Sequence, residues 1–155
     1  MGVKLRISRG LLDGIVALAS KTPGEEVCGL LLGLPPLAAA APATAAGTIE
    51  SFLPATNVAP DRARHFEIDP ATLIRAHRAE RDGGPAILGC FHSHPGGDPT
   101  PSAEDAAQAE ANGALWLICA GPPWTASLWK AVTNGAVHGR FDPVPMIVDP
   151  GPSAP

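Results

Sequence analysis

The sequence predicts a layered α/β or α+β fold, on three observations. Short apolar runs bounded by glycine and proline recur along the chain and read as strands. Three segments carry helical spacing or helix-start signals between those runs. The chain is 155 residues long and 45% apolar, the size of one ordinary domain with enough apolar material for one sizeable core.

Residues 4–7 read as a first short strand. Ser8 is placed to cap a helix in which Leu11, Leu12, Ile15, Val16, Leu18 and Ala19 recur at helical spacing, and Thr22-Pro23-Gly24 stops it. Residues 27–33 form an uninterrupted apolar run between breakers, the mark of a buried strand. The stretch 34–46 is almost entirely proline and alanine from Pro35 onward and reads as a solvent loop or tether. Residues 47–53 and 64–68 read as two further strands. Asp69-Pro70 is a strong helix start, a capping carboxylate followed by proline at the first helical position. That helix is expected to run to about Arg81, where Gly83-Gly84-Pro85 ends it. Strands are expected at 86–94, 114–119, 126–132 and 137–141, with a Gly/Pro loop at 95–101 and a third helix from Ser102 to about Ala111. Residues 1–142 are thus read as one domain, and the Pro/Gly-rich 143–155 as a frayed tail.

Composition excludes several functions. The net charge is −4, no Lys/Arg run stands out, tyrosine is absent and the three tryptophans are scattered, so there is no nucleic-acid footprint. Residues 27–46 are uncharged, but Pro35, Pro36 and Pro42 break them, and no membrane span is expected. Cys28, Cys90 and Cys119 lie far apart in apolar surroundings and read as reduced, buried thiols. With no long apolar leader at the start, the expectation is a cytoplasmic protein.

The chemistry concentrates in His92-Ser93-His94-Pro95, a Gly/Pro loop, and Ser102-Ala103-Glu104-Asp105. Side chains two apart on a strand share a face, so both imidazoles can converge on one ion at the end of the 86–94 strand. Zinc accepts imidazole nitrogen and carboxylate oxygen, and Asp105 in the first turn of the next helix is a plausible third ligand. A bland reading competes: Ser102-x-x-Asp105 also fits a capping box, and capping and ligation make rival demands on one carboxylate. Other His-x-His sites fit poorly. The nucleobase deaminase pattern, for one, needs His-x-Glu and a later Pro-Cys-x-x-Cys, and neither is present.

At its full spacing, His92-x-His94-Pro95, six residues, Ser102-x-x-Asp105 resembles the motif of the JAMM (MPN+) zinc metallopeptidases. Glu26-Val27-Cys28-Gly29 resembles the Glu-x-Cys-Gly block that this family carries upstream. The resemblance spans residues 3–141. It implies a mixed central sheet flanked by helices, similar to the cytidine-deaminase-like fold. It further implies one zinc ion held by His92, His94 and Asp105 with water as fourth ligand, Glu26 as general base and Ser102 as oxyanion donor. Strand alternation lets only one of Glu25 and Glu26 face the metal, and the block's register selects Glu26.

The implied reaction is hydrolysis of a peptide or isopeptide bond. The implied partner is a ubiquitin-like or sulfur-carrier protein, released from a conjugate or trimmed at its C-terminal tail. Two rivals stand beside this reading. Gly97-Asp98-Pro99-Thr100-Pro101-Ser102 is also similar to RadC-type proteins tied to DNA repair, although those carry Asn between the histidines. A metal-free MPN scaffold is the other, although all the motif residues are present. Cys28 and Cys90 read as small buried hydrophobes. Asp98 and Glu104 read as solvated charges, His65, His77 and His138 as structural or surface groups, and Trp116, Trp124 and Trp129 as core or rim.

Overall fold

The organising element is the antiparallel pairing of the Val/Leu-rich run after Glu26 with the strand that ends in the two histidines. A computed structural model describes residues 4–35 and 47–150; residues 36–46, nearly all of the Pro/Ala segment, lie outside the described residues. In chain order the elements are β1 (Leu5–Ser8), α1 (Arg9–Ser20), β2 (Cys28–Leu34), β3 (Gly47–Ala55), α2 (Pro70–Arg81) and β4 (Ala86–Pro95). They continue with α3 (Ala103–Gln108), β5 (Leu115–Gly121), β6 (Thr125–Gly135), β7 (Gly139–Pro143) and β8 (Met146–Asp149). One mixed sheet has the order β7-β6-β5-β4-β2-β3-β1-β8. β2 runs antiparallel to β3 and β4, while β4 pairs parallel with β5, the α3 segment making the crossover. The predicted α/β layering with helices flanking a mixed sheet is the fold observed.

Helix ends follow local chemistry. Ser8 Oγ accepts from the Leu11 amide and starts α1. Asp69 accepts from the Thr72 amide with Pro70 at the first turn. α2 stops at Gly83, whose φ of +92° only glycine adopts freely. The Gly84 amide reaches back to Ala79 O and the Gly83 amide to Glu80 O, the six-to-one and five-to-two closures of a Schellman motif.

The core has two halves, one on each face of the sheet. α1 buries Leu12, Ile15 and Ala19 with Leu5, Ile7, Leu31, Phe91 and Leu117. The second cluster gathers Cys28, Phe66, Trp116, Ala131 and Phe141, with Ala106 of α3 packed against it. β4 changes register beside Gly89, where a Cβ would run into the Leu115 carbonyl oxygen. The Leu88 bulge lets Leu88 and Phe91 share one half of the core. Gly29 has a comparable reason: a Cβ there would enter the Phe91 ring and the Leu53 carbonyl.

Three expectations need correction. Residues 64–68 are not a strand. Residues 61–64 turn, with the Arg64 and His65 amides both donating to Asp61 O, and only Ile68 makes a bridge, to Asn57. α3 ends at Gln108 rather than about Ala111, because Ala109 turns extended to enter the second core half. The tail is not frayed from 143: β8 pairs parallel with β1, Leu5 opposite Met146 through Ser8 opposite Asp149, and Arg6 meets Asp149 at 3.1 Å. Pro143, Pro145 and Pro150 flank this edge strand without interrupting its ladder, which is where an edge tolerates proline. Among the described residues, no helix is long and apolar enough to cross a membrane.

Ending the chain after Pro145 removes the β8 ladder, whose bonds contribute about 0.5–1.5 kcal/mol each. The expected loss is about 2 kcal/mol or more in urea unfolding. An unchanged midpoint would mean that β8 does not hold the sheet edge.

Candidate metal and catalytic centre

β2 delivers Glu26 to the histidines. Cys28 lies opposite His92 in the ladder, so the residues just before β2 stand over the C-terminal end of β4. Ser93, the residue between the histidines, locks that junction from both sides. Its amide donates to Val27 O at 3.0 Å, and its Oγ accepts from the Val27 amide at 2.9 Å. Glu26 is buried, at 6% exposure. Glu25 points away and pairs with Arg62 at 3.3 Å, although the two glutamates lie at the bend before β2 and not on the strand itself.

The imidazoles of His92 and His94 project from the face of β4 that carries Cys90. His92 is fully buried, its ring stacked on Phe66 at 4.3 Å between centroids and 19° between planes, with Trp116 edge-on at 5.6 Å. His94 Nδ1 lies 2.9 Å from the Asp98 carbonyl. A carbonyl only accepts, so Nδ1 carries a proton, which leaves Nε2 as the nitrogen that can bind a metal once its own proton is released. The Gly/Pro loop that supplies this carbonyl is itself anchored by Trp129 Nε1, which donates to Pro99 O at 2.9 Å.

Asp105 completes the group. Its Oδ2 lies 3.2 Å from His92 Nε2 and 3.0 Å from His94 Nε2, and the two Nε2 atoms are 3.0 Å apart. The same Oδ2 accepts from the Ser102 amide at 2.9 Å, while Ser102 Oγ accepts from the Asp105 amide at 3.0 Å. The capping box is therefore fully formed while its carboxylate faces both imidazoles. The roles treated as rivals in the sequence are compatible, because the cap holds Asp105 in place for the histidines. Ser102 spends an oxygen lone pair on the cap and keeps its O–H free to donate.

Three ligand-type atoms with edges of 3.0–3.2 Å fit a zinc ion. Ligands about 2.0–2.1 Å from a tetrahedral centre stand roughly 3.3 Å from one another. A second carboxylate is also near: ligand-capable atoms of Glu26, His92 and His94 lie within 4.8 Å of one another. Charge separates the two acids. For Asp105, burial works against ionisation, but hydrogen bonding to His92 and His94 holds it well below the usual carboxylate range. Burial pushes the Glu26 carboxyl up to about 7, with His94 offsetting part of the rise. Burial lowers the pKa of His92; at His94 burial also pulls it down, but the contacts with Asp105 and the Asp98 carbonyl and the charges of Asp105 and Glu26 together outweigh burial and raise it. Burial pushes the Cys28 and Cys119 thiols up to about 12 and Cys90 higher still, so all three stay protonated hydrophobes. His65, His77 and His138 are exposed and do not join the cluster.

All five motif residues thus meet at one place. A cleft of about 540 Å³ opens onto three of them, Glu26, His94 and Ser102, with Arg64 and Glu104 also in its lining, while His92 and Asp105 lie buried behind it. A model of the family described as prokaryotic homologs of the JAB domain matches residues 8–132. The chain belongs to that family.

The chain is 35% identical over 101 residues to a desampylase from Haloferax volcanii, covering 65% of this chain and 66% of that protein. It is 30% identical over 108 residues to a protein of Thermus thermophilus named a probable TtuB-protein conjugate cleaving protease, covering 70% of this chain and 65% of that one. The match spans slightly less than two thirds of these relatives' length. The solution structure of a Desulfitobacterium hafniense protein superposes with a TM-score of 0.76 at 24% identity, covering 94% of this chain and 93% of that one. One from Salinibacter ruber gives 0.64 at 25% identity, covering 97% and 94%.

Sequence reasoning missed Ser93 and Phe66. Ser93 was visible only as the spacer of His-x-His, and Phe66 sat inside a run misread as a strand. Replacing Ser93 with alanine leaves the half-buried Val27 amide without its acceptor. Ser93→Ala is expected to cost about 1–3 kcal/mol in urea unfolding. An unchanged midpoint would show that another group takes up that amide.

Proposed function

We propose that this protein is a zinc-dependent hydrolase of peptide or isopeptide bonds, which releases or trims a ubiquitin-like or sulfur-carrier protein at its C-terminal tail. The observation that carries the reading is the convergence of His92, His94 and Asp105 beside a buried, separately held Glu26. The names of the two relatives, one a desampylase and the other a conjugate-cleaving protease, support the substrate class. In this reading His92, His94 and Asp105 hold the ion and Glu26 stays outside its shell. Asp105 suits a ligand because it is ionised throughout the neutral range. Glu26 suits a proton carrier because its raised pKa lies near the working pH.

When bound, zinc supplies Lewis acidity that lowers the pKa of water from about 15.7 toward about 7. Glu26 takes a proton from the attacking water as the new C–O bond forms at the amide carbonyl. Ser102 donates its free O–H to the carbonyl oxygen as negative charge gathers there. Glu26 then hands its proton to the leaving nitrogen, the C–N bond breaks, and a carboxylic acid and an amine result, which exchange a proton to leave as carboxylate and ammonium. His94 keeps its orientation throughout through the Asp98 carbonyl.

The cleft also weighs against the DNA-associated reading. Among the described residues the one Lys or Arg in its lining, Arg64, is set among Glu26, Asp98 and Glu104, a poor surface for a phosphate backbone.

Purified protein incubated with a ubiquitin-like conjugate is expected to release the free partner, and a chelator to stop the release. Glu26→Ala is expected to keep zinc and lose about 10²–10⁴-fold in kcat, while Asp105→Ala loses zinc by metal analysis. Loss of zinc in Glu26→Ala would place Glu26 in the ligand set instead. Ser102→Ala is expected to lower kcat by about 10²–10³-fold with zinc retained, read in steady-state kinetics; an unchanged kcat would remove Ser102 from the reaction.

A further inference from the structure

The mechanism leaves open what aims the base. Among the described residues Glu26 Oε1 is buried without a hydrogen-bond partner. The carboxylate is therefore placed by its backbone and its packing. Both backbone polar groups of Glu26 end on the loop that follows β3. The Glu26 amide donates to Arg62 O at 2.7 Å, and the Glu26 carbonyl accepts from Asn57 Nδ2 at 2.9 Å.

Asn57 is the hub of that loop. Its Nδ2 also donates to His65 O at 2.9 Å, and its Oδ1 accepts from the Ala59 amide at 3.0 Å and the Glu67 amide at 3.1 Å. These four bonds use both donors and both lone pairs of the side-chain amide. The two ends of the loop are thus tied to each other and to Glu26 through one side chain. The same loop carries Phe66, stacked on the buried His92 ring, and Arg62, paired with Glu25. It touches the base and one of the histidines at once.

We propose that Asn57 is a positioning residue: its side-chain amide fixes the Glu26 peptide to the 57–67 loop and so aims the Glu26 carboxylate at the histidine pair. This rests on the assignment of Glu26 as the proton carrier. Two substitutions separate aiming the base from merely holding the loop. Asn57→Asp keeps the acceptor for Ala59 and Glu67 and loses both donors, to Glu26 O and to His65 O. The uncharged Asn57→Ala controls for the added charge.

The test uses the full chain loaded with zinc and a fluorescent isopeptide substrate, a ubiquitin-like tail ending in two glycines joined to lysine. Both variants are expected to retain zinc and to lose about 10–100-fold in kcat with KM little changed, the usual size for a group that orients a catalytic residue. In a Glu26→Gln background Asn57→Ala is expected to cost nothing further, whereas in a Ser102→Ala background it costs its full factor. An activity-independent arm labels glutamate at the carboxyl carbon. The resonance that disappears in Glu26→Gln reports Glu26, and both Asn57 variants are expected to move it. Additivity with Glu26→Gln, an unmoved resonance, or variants that simply unfold would overturn the proposal and leave Asn57 a fold-holding residue. If the unaltered protein cleaves nothing, the functional reading fails, and the carboxyl resonance still decides the role of Asn57.

Discussion

Everything at this centre depends on the junction where β2 meets the end of β4. Glu26 and His92 are far apart in the chain, and only the ladder that sets Cys28 opposite His92 brings them together. Ser93 closes that junction with two hydrogen bonds to Val27, so the residue between the histidines also fixes the segment that leads from the acid into β2. Gly29 is required at the same place, because any side chain there would displace Phe91, which is fully buried. The Glu-x-Cys-Gly block is thus one packed unit. Its acid faces the site, its cysteine fills the core beneath, and its glycine admits the neighbouring strand.

From that junction the remaining parts follow. The parallel pairing of β4 with β5 requires a crossover, and the crossover begins with the Gly/Pro loop and α3. The N-terminal cap of α3 uses the same carboxylate oxygen that faces the histidines, so helix initiation and site assembly are one event. The loop before α3 sets the His94 tautomer through the Asp98 carbonyl, and Trp129 of β6 anchors that loop in turn. The two carboxylates of the centre then differ by environment alone. One is held ionised by hydrogen bonds to the imidazoles, and the other is raised by burial, a division that suits one acid to binding a cation and the other to moving protons.

Much of this was legible in the sequence because it rests on local chemistry. Asp69-Pro70, Ser8 and Gly83 announce helix ends through their own side chains or lack of one, and the apolar runs at 27–33 and 86–94 needed no context to read as strands. The motif residues were legible through their spacing. What stayed hidden depends on distant partners. Residues 64–68 look extended, yet the Asn57 side chain binds the His65 carbonyl and the Glu67 amide on either side of Phe66, which stacks inward on His92, and no local pattern announces this. The tail looked frayed because prolines dominate its composition, while Met146 to Val148 gain their order only from β1, at the other end of the chain. The conflict over Asp105 disappeared for a similar reason: a single oxygen can serve a cap and face two imidazoles, and only coordinates reveal that it does.

The central claim is that Asp105, and not Glu26, joins the two histidines in holding the metal. A crystal structure of the zinc-loaded protein, with the ion located by its anomalous scattering, tests it most directly. The account predicts one zinc with His92 Nε2, His94 Nε2 and an Asp105 oxygen about 2.0–2.2 Å away, and the Glu26 carboxylate outside the ligand shell. A zinc bound by Glu26 in place of Asp105, or no anomalous peak between the histidines, would contradict it.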